Sequence, residues 1–555
     1  MVERRDFLKT ASLSALSAAL LSSRQAHSAL PVAADNAGTS NKPNILIIIS
    51  DEHRAGLTRR SGYPLDTSPT LDALAENGVA FDRAYATAPL CSPSRTSVLT
   101  GRWPEAHRVR QNSQPHIAFF EKDIFQVAKS KGYKTGLAGK NHTYMKPEML
   151  DFWRQYSEMS GWKAPNAPKE YGEFEHWLHQ LGLHGVSRVP TPFPLEAQLS
   201  YRIVSDAIDF MDGLNGQNFA LEVSFPEPHN PIQVPKPYFD MYPPDQVPDR
   251  LVGPEALKYK GFRWQWMRGL EENTYPNYDE EWRRYKSNYL GMLRLLDDQL
   301  ARLVTYMKQK GLYENTVIVY LADHGDYLMD YGLQGKGIGM PESLIRIPMV
   351  WSGGGVRARN QHHTAFVSDA DIMPTFCEAI GAEIPHGVQG RSLWPLLEGK
   401  DYPEEEFRSI YSEVGFGGLY YDNSDHVPYR IAQYGLAKGP RHHPAPGEPK
   451  TYDTLNKVDQ SGYMKMVRMG DWKLIYDMMG YGQLYHLADD PAELKNLFGD
   501  PSVKDEQMRL LEELLAWAIR NEDTLPTGAY ETKWSRDHNW YSPYRRGDSP
   551  EAFIP

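Results

Sequence analysis

The chain has 555 residues, 41% hydrophobic and 12% aromatic, a composition that supports a large core and excludes a disordered chain. Its 60 lysines and arginines against 71 acidic residues give a formal charge of −11, which excludes the basic stripe of a nucleic-acid-binding surface. The two cysteines, Cys91 and Cys377, are too few for a disulfide framework, and the length suits one large domain with a smaller companion.

The N-terminus opens Arg4-Arg5-Asp6-Phe7-Leu8-Lys9 and continues as a weakly apolar stretch over residues 10–21. This resembles a twin-arginine export signal, which implies the twin-arginine translocation machinery as a partner and a periplasmic or otherwise exported protein. The apolar stretch is too short for a stable membrane span, which needs about 20 residues. Residues 1–34 are the expected signal, with small-residue cleavage sites between Ala26 and Ala34.

Residues 44–50 (N-I-L-I-I-I-S) form a continuous apolar, β-branched run, the pattern of a strand buried on both faces. Thr67-Ser68-Pro69 is the expected cap of a helix carrying Leu71, Leu74 and Ala75. Further strands are expected at 134–138, 219–225, 316–322 and 347–351, with helices at 201–211 and 285–309. Such alternation predicts an α/β fold, a large mainly parallel sheet sandwiched by helices, over residues 42–400. Beyond Gly399-Lys400-Asp401, residues 401–555 read as a smaller α+β subdomain completing the pocket rim. Its antiparallel strands are expected at 464–469, 472–477 and 482–487, followed by an amphipathic helix at 505–520.

Ligands of such sheets sit beyond the carboxyl ends of the strands, and polar residues collect there. Asp51-Glu52 follows the first strand, Lys140 the second, Glu227-Pro228-His229 the third and Asp323-His324 the fourth. The two acidic pairs suit a hard divalent cation, Ca²⁺ being favoured by irregular geometry, with capping of a turn or helix as the lesser alternative.

Residues 91–102 read C-S-P-S-R-T-S-V-L-T-G-R. Proline is tolerated in a first helical turn, whose unpaired N–H groups can meet an anion with Arg95 one turn on. The stretch resembles the sulfatase signature C-x-P-S-R-x-x-x-L-T-G-R at every specified position. That resemblance implies an alkaline phosphatase-like fold and conversion of Cys91 to formylglycine by a formylglycine-generating enzyme. It also implies a divalent metal, usually Ca²⁺ with Mg²⁺ or another ion as alternatives, held by Asp51, Asp323, His324 and the residue made from Cys91. Glu52 departs from the commoner aspartate at the remaining ligand position.

Gly139-Lys140-Asn141-His142 matches the family's G-K-x-H element, which implies a sulfate contact for Lys140 and action on the nucleophile's hydroxyl for His142. His229 matches the position that assists the departing alcohol, and Lys336, between Gly335 and Gly337, the second sulfate-binding lysine. Tyr331 and Met329 stand where many relatives have histidine and glycine, and are expected at the rim. Asp490-Pro491-Ala492-Glu493 and Asn496-Leu497 resemble the sulfatase C-terminal subdomain. A divalent cation with Arg95, Lys140 and Lys336 brings five positive charges against the carboxylates of Asp51, Glu52 and Asp323, an excess of two.

Trp162, Trp177, Trp264, Trp266 and Trp282 can stack on sugar rings or anchor long loops. Residues 415–421 and 534–546 are expected pocket rim, Gly353-Gly354-Gly355 a turn, and His362-His363 and His442-His443 exposed. The leading expectation is hydrolysis of a sulfate ester, of a sulfated small molecule or saccharide. Phosphonate or phosphate monoester hydrolysis by the same site is the alternative reading, and an exported binding protein keeping an unmodified Cys91 a third.

Overall fold

The computed structural model describes residues 42–112, 115–417, 462–529 and 536–542. The expected export signal, His442-His443 and, of the expected rim segments, residues 418–421, 534–535 and 543–546 lie outside the described residues. The expected strand at 44–50 forms as β1 (Asn44–Ser50), buried along its whole length. In chain order there follow β2 (Gly78–Tyr85), β3 (Lys134–Lys140), β4 (Phe152–Tyr156), β5 (Phe219–Phe225), β6 (Thr316–Ala322), β7 (Arg346–Ile347), β8 (Met349–Gly353) and β9 (Asn360–Ser368). They make one nine-stranded sheet in the order β4-β3-β5-β1-β6-β8-β2-β7, with β9 paired to β2. The pairs from β4 to β6 are parallel, whereas β8 is antiparallel to both β6 and β2. The strand expected at 347–351 is two strands, broken at Pro348, which has no N–H to give to a ladder.

Alternation along β1 divides the core. Ile45, Ile47 and Ile49 pack with Val98, Leu99, Ile124, Phe125 and Phe376 on one face. Leu46 and Ile48 pack with Leu71, Leu74, Ile203, Leu296 and Leu300 on the other. The helices Cys91–Thr100, Ile124–Ser130 and Ile372–Ala379 therefore cover one side, and Pro69–Glu76, Leu199–Asp212 and Trp282–Gln309 the other. The Pro69–Glu76 helix is capped differently from expectation. Ser68 makes no side-chain cap bond; Asp297, from the long helix beside it, accepts from the Thr70 and Leu71 N–H groups at 2.8 and 3.0 Å.

A second, antiparallel sheet runs β10 (Ser409–Val414), β11 (Met464–Met469), β12 (Trp472–Asp477) and β13 (Gly482–His486). Leu510, Leu514 and Trp517 of the Lys504–Asn521 helix pack on it, in one cluster with Trp103 and Tyr411. Among the described residues no helix is long and apolar enough to cross a membrane.

One close approach sets where the site residues emerge. Gly139 has φ +130°, and a Cβ there would lie 1.9 Å from the Ser224 carbonyl oxygen, its partner on β5. Only glycine fits both the backbone angle and that gap. Gly139→Ala is expected to destabilise the protein by at least about 3 kcal/mol, read as a fall in denaturation midpoint.

Candidate active site

The parallel ladder around β1 carries the backbone one residue beyond each strand end. Asp51 N–H donates to Phe225 O at 3.1 Å, and Asp323 N–H to Ser50 O at 3.2 Å. Asp51 and Asp323 thus leave adjacent strands side by side and fully buried. Cys91 begins its helix directly over them, with Sγ 3.5 Å from Asp51 Oδ1 and 3.2 Å from His324 Nε2. Ligand atoms of Asp51, Cys91, Asp323 and His324 lie within 4.8 Å of one another. His324 Nδ1 faces the Gly325 carbonyl at 2.9 Å, so this nitrogen carries a proton and the ring turns Nε2 toward the cluster, where it can ligate a cation once it gives up its own proton.

Arg95 binds the carboxylates together from within. Its Nε donates to Asp323 Oδ2 at 2.8 Å, Nη2 to Asp51 Oδ2 at 3.1 Å, and Nη1 to Ser224 Oγ at 2.6 Å and to Lys140 O at 3.2 Å. The helix start is closed as well: Ser92 N–H donates to Asn112 Oδ1 at 3.0 Å, a partner the sequence pattern did not mark.

Glu52 adopts φ 65°, held there by its N–H donating to Asp323 Oδ1 at 3.1 Å and by Tyr289 OH donating to its carbonyl. This turn points the side chain at Lys336, which donates to Oε1, and brings Oε1 within 3.5 Å of His229 Nε2. His229 Nδ1 faces the Asn230 carbonyl at 2.7 Å. Glu52 Oε2 is buried without a hydrogen-bond partner, and Asp51, Glu52 and His229 form a second close group. A bare buried carboxylate oxygen beside a cluster of two carboxylates, an imidazole and a thiol fits a hard divalent cation. Asp51, Glu52, Asp323 and His324 are the residues that can hold it.

Lys140 ends β3 and donates to Asp51 Oδ2, and also to Glu158 Oε1 at 2.6 Å. Glu158 lies two residues past β4 and belongs to no motif, so the sequence did not reveal it. His142, at φ 43°, has a buried Nδ1 with no partner. Burial, with the Lys140 charge beside it, pushes its imidazole down to about 4. Burial opposes the Asp51 charge, yet Lys140 and Arg95 outweigh it and hold that carboxyl well below the usual range. Against the same penalty, His229 and Lys336 draw Glu52 down to about 2, and Asp323 draws His324 up to about 9.

The structure thus gathers Asp51, Glu52, Cys91, Arg95, Lys140, His229, Asp323, His324 and Lys336 in one bonded network, with His142 two residues beyond Lys140. Several other expectations are corrected. Tyr331 is only 3% exposed and donates its hydroxyl to Ala492 O, so it joins the two sheets' surroundings and not the rim. Met329 is buried too, and both residues hold positive φ, the conformation a glycine would take freely. Trp264 and Trp266 are core residues, and His363 is buried against Phe81, whereas His362 is exposed. Cys91 and Cys377 are both free.

The nine-stranded mixed sheet flanked by helices, with its separate four-stranded antiparallel sheet, is the architecture of the alkaline phosphatase-like class. A family model described as Sulfatase matches residues 43–382, and the chain belongs to that family of sulfuric ester hydrolases. It is 26% identical over 532 residues to the multifunctional alkaline phosphatase superfamily protein PehA of Trinickia caryophylli, covering 87% of this chain and 96% of the relative. It is 26% identical over 458 residues to an ulvan-active sulfatase of Formosa agariphila, covering 78% of this chain and 82% of the relative. Among solved structures it resembles the phosphonate monoester hydrolase SpPMH from Silicibacter pomeroyi, with a TM-score of 0.69 and 23% identity over 87% of this chain and 96% of that one.

Asp369 supports the helix that begins at Cys91 from below. It accepts from Ser94 Oγ at 2.7 Å and from Thr87 N–H at 3.0 Å. Burial pushes its carboxyl up to about 7, against the lowering effect of these bonds. A folded pKa above the unfolded value of 3.8 gives stability that is full below that value and is lost as pH rises toward 7. The stability of the wild type relative to Asp369→Asn is therefore expected to fall across that window in denaturant titrations at stepped pH.

Proposed function

We propose that this protein hydrolyses the sulfate ester of a sulfated carbohydrate, using a formylglycine made from Cys91 and a divalent cation, Ca²⁺ by the oxygen-rich donor set. The observation that carries the reading is the position of Cys91, between buried metal-type ligands on one side and Lys140 on the other. The formylglycine would supply a hydrated aldehyde with two hydroxyls, and the cation would lower the pKa of the attacking one. Every other role falls to residues of the chain. Lys140 and Lys336 hold the sulfate oxygens and offset the charge that grows on them. His229, its Nδ1–H fixed on the Asn230 carbonyl, points Nε2 into the site, and in its doubly protonated form gives the Nε2 proton to the leaving alcohol. His142, kept neutral by burial and Lys140, accepts the proton released when sulfate departs.

The carbohydrate part of the reading is supported by the ulvan-active relative and by the expected export. A second reading, phosphonate or phosphate monoester hydrolysis, is favoured by the likeness to a multifunctional relative. Rates on aryl sulfate, aryl phosphonate and aryl phosphate esters separate the two, and a panel of defined sulfated oligosaccharides tests the substrate class.

Cys91→Ala and Cys91→Ser are expected to keep the fold and lose turnover roughly a thousandfold or more. Peptide mass spectrometry of protein from the native host should show the aldehyde at position 91; a free thiol there would falsify the formylglycine step. Chelation is expected to lower the melting temperature and Ca²⁺ to restore it, by about 2.7 kcal/mol at one hundred times the dissociation constant. Asp323→Asn should abolish that Ca²⁺ response; an unchanged response would remove the cation from this site.

A further inference from the structure

Lys140 has more negative partners than its own charge requires. Asp51 already accepts from its Nζ, and Glu158 Oε1 accepts at 2.6 Å as well. The lysine side chain is 4% exposed and the glutamate 22%, so the pair runs from the buried cluster toward solvent. Placing a further carboxylate near Asp51 costs free energy through like-charge repulsion in a poorly screened site. Lys140 would stay paired without it. A charge that is not needed for neutralisation and is held on an anion-binding lysine bears on what anion is bound.

Counting charges shows how. With His324 neutral as a ligand of the cation and the attacking hydroxyl not yet ionised, the two charges of a divalent cation with those of Arg95, Lys140 and Lys336 face the carboxylates of Asp51, Glu52 and Asp323, leaving an excess of two. Glu158 reduces that excess to one. We propose that Glu158 determines specificity by matching the pocket to singly charged esters, sulfate and phosphonate monoesters, and against phosphate monoesters, which carry two charges above a pKa of about 6. The inference rests on the hydrolytic reading above and refines its substrate class. Glu158 acts here through Lys140 and through the field it adds, as a positioning and charge-setting residue.

The test compares wild-type holoenzyme with Glu158→Gln, using two unreactive ligands of similar shape, benzenesulfonate with one charge and phenylphosphonate with two at alkaline pH. Calorimetric affinities are expected to shift toward phenylphosphonate by about tenfold or more in the variant. The ratio of kcat/KM for aryl phosphate over aryl sulfate should rise in the same direction, while aryl phosphonate ester tracks aryl sulfate. Glu158→Asp, which keeps the charge, should retain the wild-type ratio. An unchanged affinity ratio in Glu158→Gln overturns the proposal, including the case where both ligands weaken together, since that would mean Glu158 only orients Lys140. If Glu158→Gln does not fold, Glu158→Ala is read by the same criteria. A wild-type enzyme inactive on every sulfate ester would count against the proposed reaction, whereas the affinity ratio reads the pocket's charge with no turnover.

Discussion

The site depends on one guanidinium. Arg95 is 1% exposed and spends its donors on Asp323, Asp51, Ser224 and the Lys140 carbonyl. A buried charge is tolerable only when paired and fully bonded, and the same holds for the two aspartates it joins. The planar fork of arginine can reach carboxylates on two different strands at once, which the single nitrogen of lysine cannot reproduce. Because Arg95 sits one helical turn after Cys91, fixing the guanidinium also fixes the helix start over the carboxylates. Asp369 secures the same turn from the opposite side through Ser94.

Around that anchor, backbone carbonyls decide what the histidines can do. Gly325 and Asn230 each face a ring Nδ1, so His324 and His229 turn Nε2 toward the centre. One nitrogen then meets a metal-type cluster and the other the Glu52 carboxylate. His142 has no such carbonyl on its buried Nδ1, and its neutral form follows from burial and a neighbouring lysine. Three imidazoles within one site thus turn different faces toward it because their local backbones differ.

Much of this was legible in the sequence wherever chemistry and strand pattern coincide. The apolar runs of β1, β5 and β6 declare buried parallel strands, and the residues after them declare the site. β2 mixes Asp82 and Arg83 into its run and β9 begins with polar residues, so period and composition hide both. β4, Phe-Trp-Arg-Gln-Tyr, is hidden in the same way, and with it goes Glu158 just beyond its end. β3 extends two residues beyond the expected stretch because Gly139, a poor strand former, is held by partners on both sides and Lys140 by Tyr156 of β4. Asn112 and Tyr289 secure the site from a loop and a long helix, far from any motif. Contacts made by ordinary residues at long sequence separation leave no local signature.

The burial of Cys91 also sets an order of events. Its side chain has no exposed surface once the helix rests on β1 and β6, and Asp51, Lys140 and His324 close around the sulfur. On the proposed formylglycine reading, an enzyme that oxidises this thiol would need the segment as an extended, accessible peptide. Modification would then compete with folding in time, and a chain that folds first would be locked with its thiol out of reach. Synthesis rate, chaperone dwell time and supply of the modifying enzyme would then set the active fraction of a preparation, independently of how well the protein folds.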